Sequence, residues 1–299
     1  MPTQQRPMLA LGLRLCAMLV LSGLLLLIKL SGERGIWLPE MLFWRQAIPG
    51  ALIFIWLAKR GELGRLRTKR PLIHARRAVI GGTGMFLTLG VVQILPLAEA
   101  TVLGFTAPIF AVILSALLLG ERVGKWRWSA VLLGLSGILI IAGPDRAHIP
   151  LHGLGIGIAG AFMVALISIQ LRDLGRTEEP ITIVFWFSAF CTPALVPFAL
   201  WTGAQHDVVG WAMIAGIGLT GLFAQLLMTA ALRYGDVASV IVMDYSQLLW
   251  ATLWGWLIFA NLPTPTTWIG APLVIAAGLV IAWREHKLAL QRGAPDLQA

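Results

Sequence analysis

Charged residues make up only 12% of this 299-residue chain, and its 14 Asp and Glu are outnumbered by 23 Lys and Arg. Soluble domains carry roughly 25% charged residues, so the polar surface that would coat a water-soluble globule is missing. The two cysteines, Cys16 and Cys191, both fall inside apolar runs, too few for a disulfide framework and without partners for a metal site. The run Gly153-Leu-Gly-Ile-Gly157 lacks the Lys-Ser/Thr ending and the preceding strand of a phosphate loop, which excludes a nucleotide-driven pump within this chain. There is also no His-Glu-x-x-His motif for a zinc peptidase. No metal site and no cofactor is expected.

What is present is apolar sequence, 58% of the residues with a mean hydropathy of +0.82. It comes in long continuous runs rather than short alternating segments, which points to spanning helices and not to a barrel. A span needs about 20 apolar residues to cross a core of about 30 Å. The runs predict ten spans: 8–30, 38–58, 77–96, 99–119 and 126–143 in one half, then 153–171, 181–202, 208–232, 237–259 and 266–284 in the other. The run after Arg14 has no small-residue cleavage pattern behind it, so it reads as a retained first span and not as a signal peptide. Arg14 and Lys29 lie near the ends of this span and are expected to snorkel to the membrane surface.

The net charge of +9 does not call for nucleic acid, because the basic residues sort by side. With the N-terminus placed in the cytoplasm, all but four of the 23 Lys and Arg fall on the cytoplasmic side, eight of them between Lys59 and Arg77; the exceptions are Lys29, Arg34, Arg45 and Arg146. Both termini are therefore expected inside a cell inner (plasma) membrane.

The halves also resemble each other. Leu95-Pro-Leu-Ala-Glu-Ala-Thr101 opens a span that closes on Leu119-Gly-Glu121, followed by Trp126 and a helix carrying Gly134 and Gly137. Leu232-Arg-Tyr-Gly-Asp-Val-Ala238 opens one that closes on Phe259-Ala-Asn261, followed by Trp268 and a helix carrying Gly270 and Gly278. Five spans per half is an odd number, so the second copy lies upside down relative to the first, an arrangement that puts a binding site at the midplane and supplies symmetry for alternating access. The expected architecture is an all-α integral membrane protein of two inverted five-helix repeats, residues 8–143 and 153–285, with a flexible cytoplasmic tail over 286–299.

At these residues the chain resembles the drug/metabolite transporter superfamily, specifically its ten-helix members built from two EamA domains. The resemblance rests on Arg45 in the second span, the polar lead-in to the fourth, Pro108 within it, Leu119-Gly-Glu-Arg122 after it, and Met243-Asp-Tyr-Ser-Gln247 in the ninth. Asn261 departs from it, standing where many members repeat the Gly-Glu pair of the first half.

Ionisable side chains inside a bilayer are costly and need a reason. Arg45, beside Trp44, could hold a substrate carboxylate through its forked guanidinium, or pair with backbone carbonyls or an acidic neighbour. Asp244 could attract an ammonium group, exchange a proton, or cap or pair structurally. Glu99 could favour the positive start of its own helix or help close an outward gate, and Pro108 joins it as a gating candidate. Gln93, Thr101, Gln225, Thr229, Tyr245, Gln247 and Trp254 complete a candidate lining. Small residues at four-residue spacing, Gly153, Gly157 and Ala161 or Ala130 and Gly134, predict close helix approaches.

Gly134-Leu-Ser-Gly137 matches the serine motif of rhomboid-type intramembrane proteases, but His74, His148, His152, His206 and His286 all fall in loops or at helix ends, away from that serine. Without a base beside it the serine is not activated, and no catalytic residue is assigned. The resemblance implies a secondary transporter exporting small polar metabolites, amino acids foremost, either coupled to protons or facilitative. Larger metabolites, cationic drugs and a channel stand as alternatives. The expected partners are the small-molecule substrate, protons if transport is coupled, and membrane lipid. The internal repeat already completes a two-fold unit, so a monomer is expected.

Overall fold

The computed structural model describes residues 7–118, 124–142, 150–174, 177–202, 205–234 and 243–293. The first half holds α1 (Pro7–Glu33), α2 (Leu38–Lys59), a 3-10 turn (Leu63–Leu66), α3 (Pro71–Ile94), α4 (Leu97–Gly104), α5 (Ala107–Leu118) and α6 (Lys125–Ala142). The second holds α7 (Leu151–Leu174), α8 (Pro180–Thr202), α9 (Val208–Tyr234), a 3-10 turn (Met243–Tyr245), α10 (Ser246–Phe259) and α11 (Pro265–Gly293). Among the described residues there is no strand, and eight stretches are long and apolar enough to cross a bilayer. This is an all-α membrane fold.

Proline marks where helices begin. Pro39, Pro71, Pro108, Pro180 and Pro265 all sit at the first or second position of a helix, where the missing N–H removes no intrahelical bond and φ is already set. This corrects the third span, expected from 77: α3 starts at Pro71, so Arg76 and Arg77 belong to the helix rather than to a basic loop. The fourth span is not continuous either. α4 ends at Gly104, Phe105 and Thr106 turn with Thr106 Oγ1 donating to the Leu103 carbonyl at 2.6 Å, and α5 restarts with Pro108 at its second position. At the far end of the chain α11 continues to Gly293, so the first part of the expected flexible tail is helical.

Packing joins the halves. α1 lies on α9, α2 on α8, α3 on α7, α4 on α10 and α6 on α11. Counting α4 and α5 as one span and the second 3-10 turn with α10 as another, exchanging the first half for the second turns α1 on α9 into α7 on α3 and leaves the other three pairs unchanged. The α2 contact with α9 likewise becomes the α8 contact with α3, and α5 on α7 becomes α10 on α1.

Helices in lipid gain little from hydrophobic transfer between themselves, so close approach at small residues does the holding. A Cβ added to Gly137 would stand 2.8 Å from the Gly270 carbonyl oxygen, and one on Gly270 2.6 Å from that of Gly137, so α6 and α11 touch backbone to backbone. Gly153 and Gly157 admit Leu95 and Leu103 in the same way, and Ala161 and Ala130 are buried. Large apolar side chains such as Leu132, Leu139, Leu200, Phe223 and Leu249 point outward. That is the surface a lipid solvent requires.

Candidate functional site

Arg45 lies between the halves, half-buried against both. It sits about 10 Å along α2 from Leu38, its Nη1 lies 2.7 Å from Met85 Sδ on α3, and its stem packs on Gly221 of α9, whose added Cβ would be 3.6 Å from Arg45 Cγ. Its Nε is sealed from solvent without a hydrogen-bond partner. Among the described residues no carboxylate pairs with it. A guanidinium whose hydrogen-bond partner among the described residues is a thioether, and no carboxylate, retains most of its capacity to bind an anion.

Asp244 has a different setting. Arg14 grips it with both arms, Nε to Oδ1 at 2.5 Å and Nη2 to Oδ2 at 2.7 Å, and the Arg14 side chain is only 6% exposed. Arg14 therefore does not snorkel, which corrects that expectation: it is paired inside the bundle with the carboxylate on the 3-10 turn of the ninth span. Of the alternatives open for Asp244, pairing is the one present. Tyr245 next to it meets Phe105, ring centroids 5.0 Å apart, and its hydroxyl lies where any Cβ on Gly278 would have to go. The turn between α4 and α5 thus touches the turn before α10.

Lys29 and Glu99 also find partners on other elements. Lys29 Nζ donates to the carbonyls of Val92 and Leu95 at 3.1 and 2.9 Å, capping the C-terminal end of α3. Glu99, fully buried, accepts from the Thr264 N–H at 3.1 Å and the Thr267 hydroxyl at 3.2 Å. Standing in the first turn of α4, Glu99 also ties α4 to the lead-in of α11, where Thr264 Oγ1 accepts from the Thr267 N–H.

The other expected lining residues do not form one cluster. Trp44 meets Trp211 edge-on with centroids 5.7 Å apart. Gln93 lies against Gly32 and Met41 and borders a cleft of about 310 Å³ lined mainly by Trp37, Leu38, Phe86 and Ile156, two turns of α3 away from Met85. Thr101 spends its hydroxyl on the Leu97 carbonyl at 2.7 Å. Gln225 is exposed one turn beyond Gly221, Gln247 is half-buried on α10, and Trp254 is half-buried with Nε1 sealed and unpartnered. The side chain of Thr229 lies outside the described residues. Arg45 and Asp244, expected to offer opposite charges to one substrate, contact different helices and not each other.

Each end of the bundle is tied across the halves. At the end where α1 begins, Arg65 binds Glu62 and Glu179, Arg70 binds Asp173, Thr68 donates to Glu178, and Trp186 Nε1 donates to the Leu66 carbonyl. The two carboxylates hold the Arg65 guanidinium above its usual range. At the opposite end Arg34 binds Asp207 and His206 Nε2 lies 2.7 Å from Glu40 Oε1.

One arginine escaped the sequence reading. Arg77 carries its guanidinium over the Phe187 ring, 4.5 Å from the centroid, with Nε and Nη1 sealed and unpartnered. Pro71 was the signal that could have found it, since a helix starting there puts Arg77 two turns inside.

Known proteins with the same pattern bear on what the site serves. The model of the EamA-like transporter family matches residues 8–143 and again 151–283. The riboflavin transporter of Rhizobium johnstonii is 32% identical over 82% of this chain and 81% of its own length. The pseudopaline exporter of Pseudomonas aeruginosa is 26% identical over 81% and 85%, and the S-adenosylmethionine uptake transporter of Rickettsia prowazekii 23% identical over 83% and 84%. A crystal structure 21% identical in sequence superimposes with a TM-score of 0.60 over 95% of this chain and 99% of the other, which shows the shared fold. The family and these relatives are transporters of small molecules, not enzymes. With its apolar bundle and both halves matched, the chain belongs to the EamA-like transporter family.

Proposed function

We propose that this protein is a secondary transporter that exports small carboxylate-bearing metabolites, amino acids foremost, across the cell inner membrane. The observation that carries the reading is Arg45: a guanidinium between the halves, with no carboxylate beside it among the described residues. The exchange pattern of helix contacts supports two inverted halves rocking about this level, with the ties at the two ends broken in turn. Asp244 is the group through which a proton would enter the cycle, since protonating it releases Arg14. Both termini lie in the cytoplasm on the charge argument, and the chain acts as a monomer.

Arg45→Lys keeps the charge and loses the fork. It should reduce transport of amino acids more than that of organic cations lacking a carboxylate, measured in liposomes containing the purified protein. Equal losses refute a recognition role for Arg45. A second reading, a larger metabolite, is favoured by the names of the riboflavin and S-adenosylmethionine relatives. Competition by those compounds, and not by amino acids, would select it.

A further inference from the structure

The side chain of Arg77 points the wrong way for a surface residue. It lies about 9 Å from the start of α3, and side chains in helices lean toward the N-terminal end, which here is the nearer membrane surface. Instead its Nη1 lies 3.0 Å from the point a Cβ on Gly81 would occupy, one turn deeper, where the absence of a side chain at Gly81 leaves room. Phe187 of α8 closes the other side of the guanidinium. Arg45 reaches the same helix at Met85. Gly81 and Met85 are four residues apart, so the two guanidinium groups approach α3 at levels separated by about 6 Å.

Among the described residues no carboxylate neutralises this pair. Cys191 lies beside both, but its thiol donates to the Ala78 carbonyl at 3.5 Å and carries no charge to offer. Glu178 stands toward the nearer end and is taken by the Thr68 hydroxyl at 2.6 Å, with His74 Nε2 at 3.8 Å. Ser188, 1% exposed on α8 against Gly50, has its hydroxyl sealed and unpartnered at the same crossing. Both guanidinium groups have lost water inside the bundle, and neither gains a carboxylate among the described residues in return. A ligand bearing two negative charges removes both penalties.

We propose that Arg45 and Arg77 form a two-point anion site for a dicarboxylate, one carboxylate held by each guanidinium. This deepens the carboxylate reading of Arg45 and rests on it. A dicarboxylate gives each guanidinium its own fork-on-fork partner, whereas a single phosphate would have to be shared between the two, and the experiment below separates these ligands.

The test is heat unfolding of the purified full-length protein in a neutral detergent. Glutamate, succinate and glutarate are compared with alanine, butyrate, inorganic phosphate and phosphatidylglycerol. The dicarboxylates should raise the unfolding temperature more than the single carboxylates or phosphate do, and Arg45→Gln or Arg77→Gln should each weaken dicarboxylate binding about tenfold or more. If Arg77→Gln fails to fold, Arg77→Lys must still bind dicarboxylates more weakly than the native protein. No preference for dicarboxylates by the native protein overturns the proposal, and so does stabilisation by phosphate or phosphatidylglycerol alone. Flux of the same compounds in liposomes separates the two readings: dicarboxylate binding without flux refutes transport of these compounds and leaves the site standing. Alanine flux without dicarboxylate binding refutes the site and leaves the transporter standing.

Discussion

Asp244 and Arg14 show why a charged residue in a membrane helix has to be read with its partner. Replacing Asp244 by Asn leaves Arg14 buried and unpaired, a loss of about 3–5 kcal/mol where a buried pair is broken from one side. Asp244→Asn alone should therefore lower the unfolding temperature clearly, while the double variant Arg14→Gln with Asp244→Asn recovers much of that loss; strictly additive losses would show that the two side chains are not coupled. The double variant is also the cleaner test of proton coupling. If Asp244 carries the proton, transport by the double variant should no longer respond to an imposed pH gradient, and an unchanged response removes Asp244 from that role. The pairing was not legible in sequence, because 230 residues separate the partners and no local spacing announces a contact of that kind. Arg77 was obscured for a different reason: it ends a run of basic residues, and its charge argued for a loop where Pro71 argued for a helix.

At the scale of the element, small residues were the most readable feature. Gly153, Gly157 and Gly134 were visible as packing positions, and added Cβ atoms there would meet Leu95, Leu103 and Ile109; Gly137 and Gly270, visible only as marks of the repeat, meet each other with no space for a side chain. Gly137→Leu should push the helices apart and cost about 1–3 kcal/mol as overpacking does elsewhere, seen as a lower unfolding temperature in detergent; an unchanged value would mean that α6 and α11 do not hold that crossing. The end of α10 offers the opposite change. Ala260 adopts φ 52, and the Asn261 N–H donates to the Gly255 carbonyl at 2.9 Å, a left-handed helix ending that glycine takes without strain. Ala260 stands where the first half has Gly120. Ala260→Gly should stabilise the protein by about 1 kcal/mol, and a lower unfolding temperature would contradict that. The breaks were harder to see than the spans: Pro108 was visible, but a proline can kink a helix or begin one, and only the Thr106 turn shows that here it begins one.

For the whole molecule, span number and repeat were readable because bilayer thickness sets the length of every apolar run and the repeat duplicates its glycines and helix endings. Which polar residues meet was not readable, because ten packed helices allow many pairings and side-chain direction decides among them. The resulting picture is a bundle tied at both ends across its halves, with Arg45 and Arg77 inside it paired with no carboxylate among the described residues. Breaking one tie should change transport without unfolding the protein: Arg70→Gln removes an exposed ion pair to Asp173, worth little to stability, and should alter the flux rate while the unfolding temperature stays within about a degree of the native value. No change in flux would exclude that tie from the cycle.

The most direct test of the central claim is efflux of an amino acid mixture from liposomes containing the purified protein, run beside protein-free liposomes and beside the Arg45→Lys variant. The proposed carboxylate reading predicts efflux of particular amino acids well above the protein-free rate and a clear loss in the variant. Efflux no faster than from protein-free liposomes, or equal in variant and native protein, would contradict a carboxylate-recognising transporter built around Arg45.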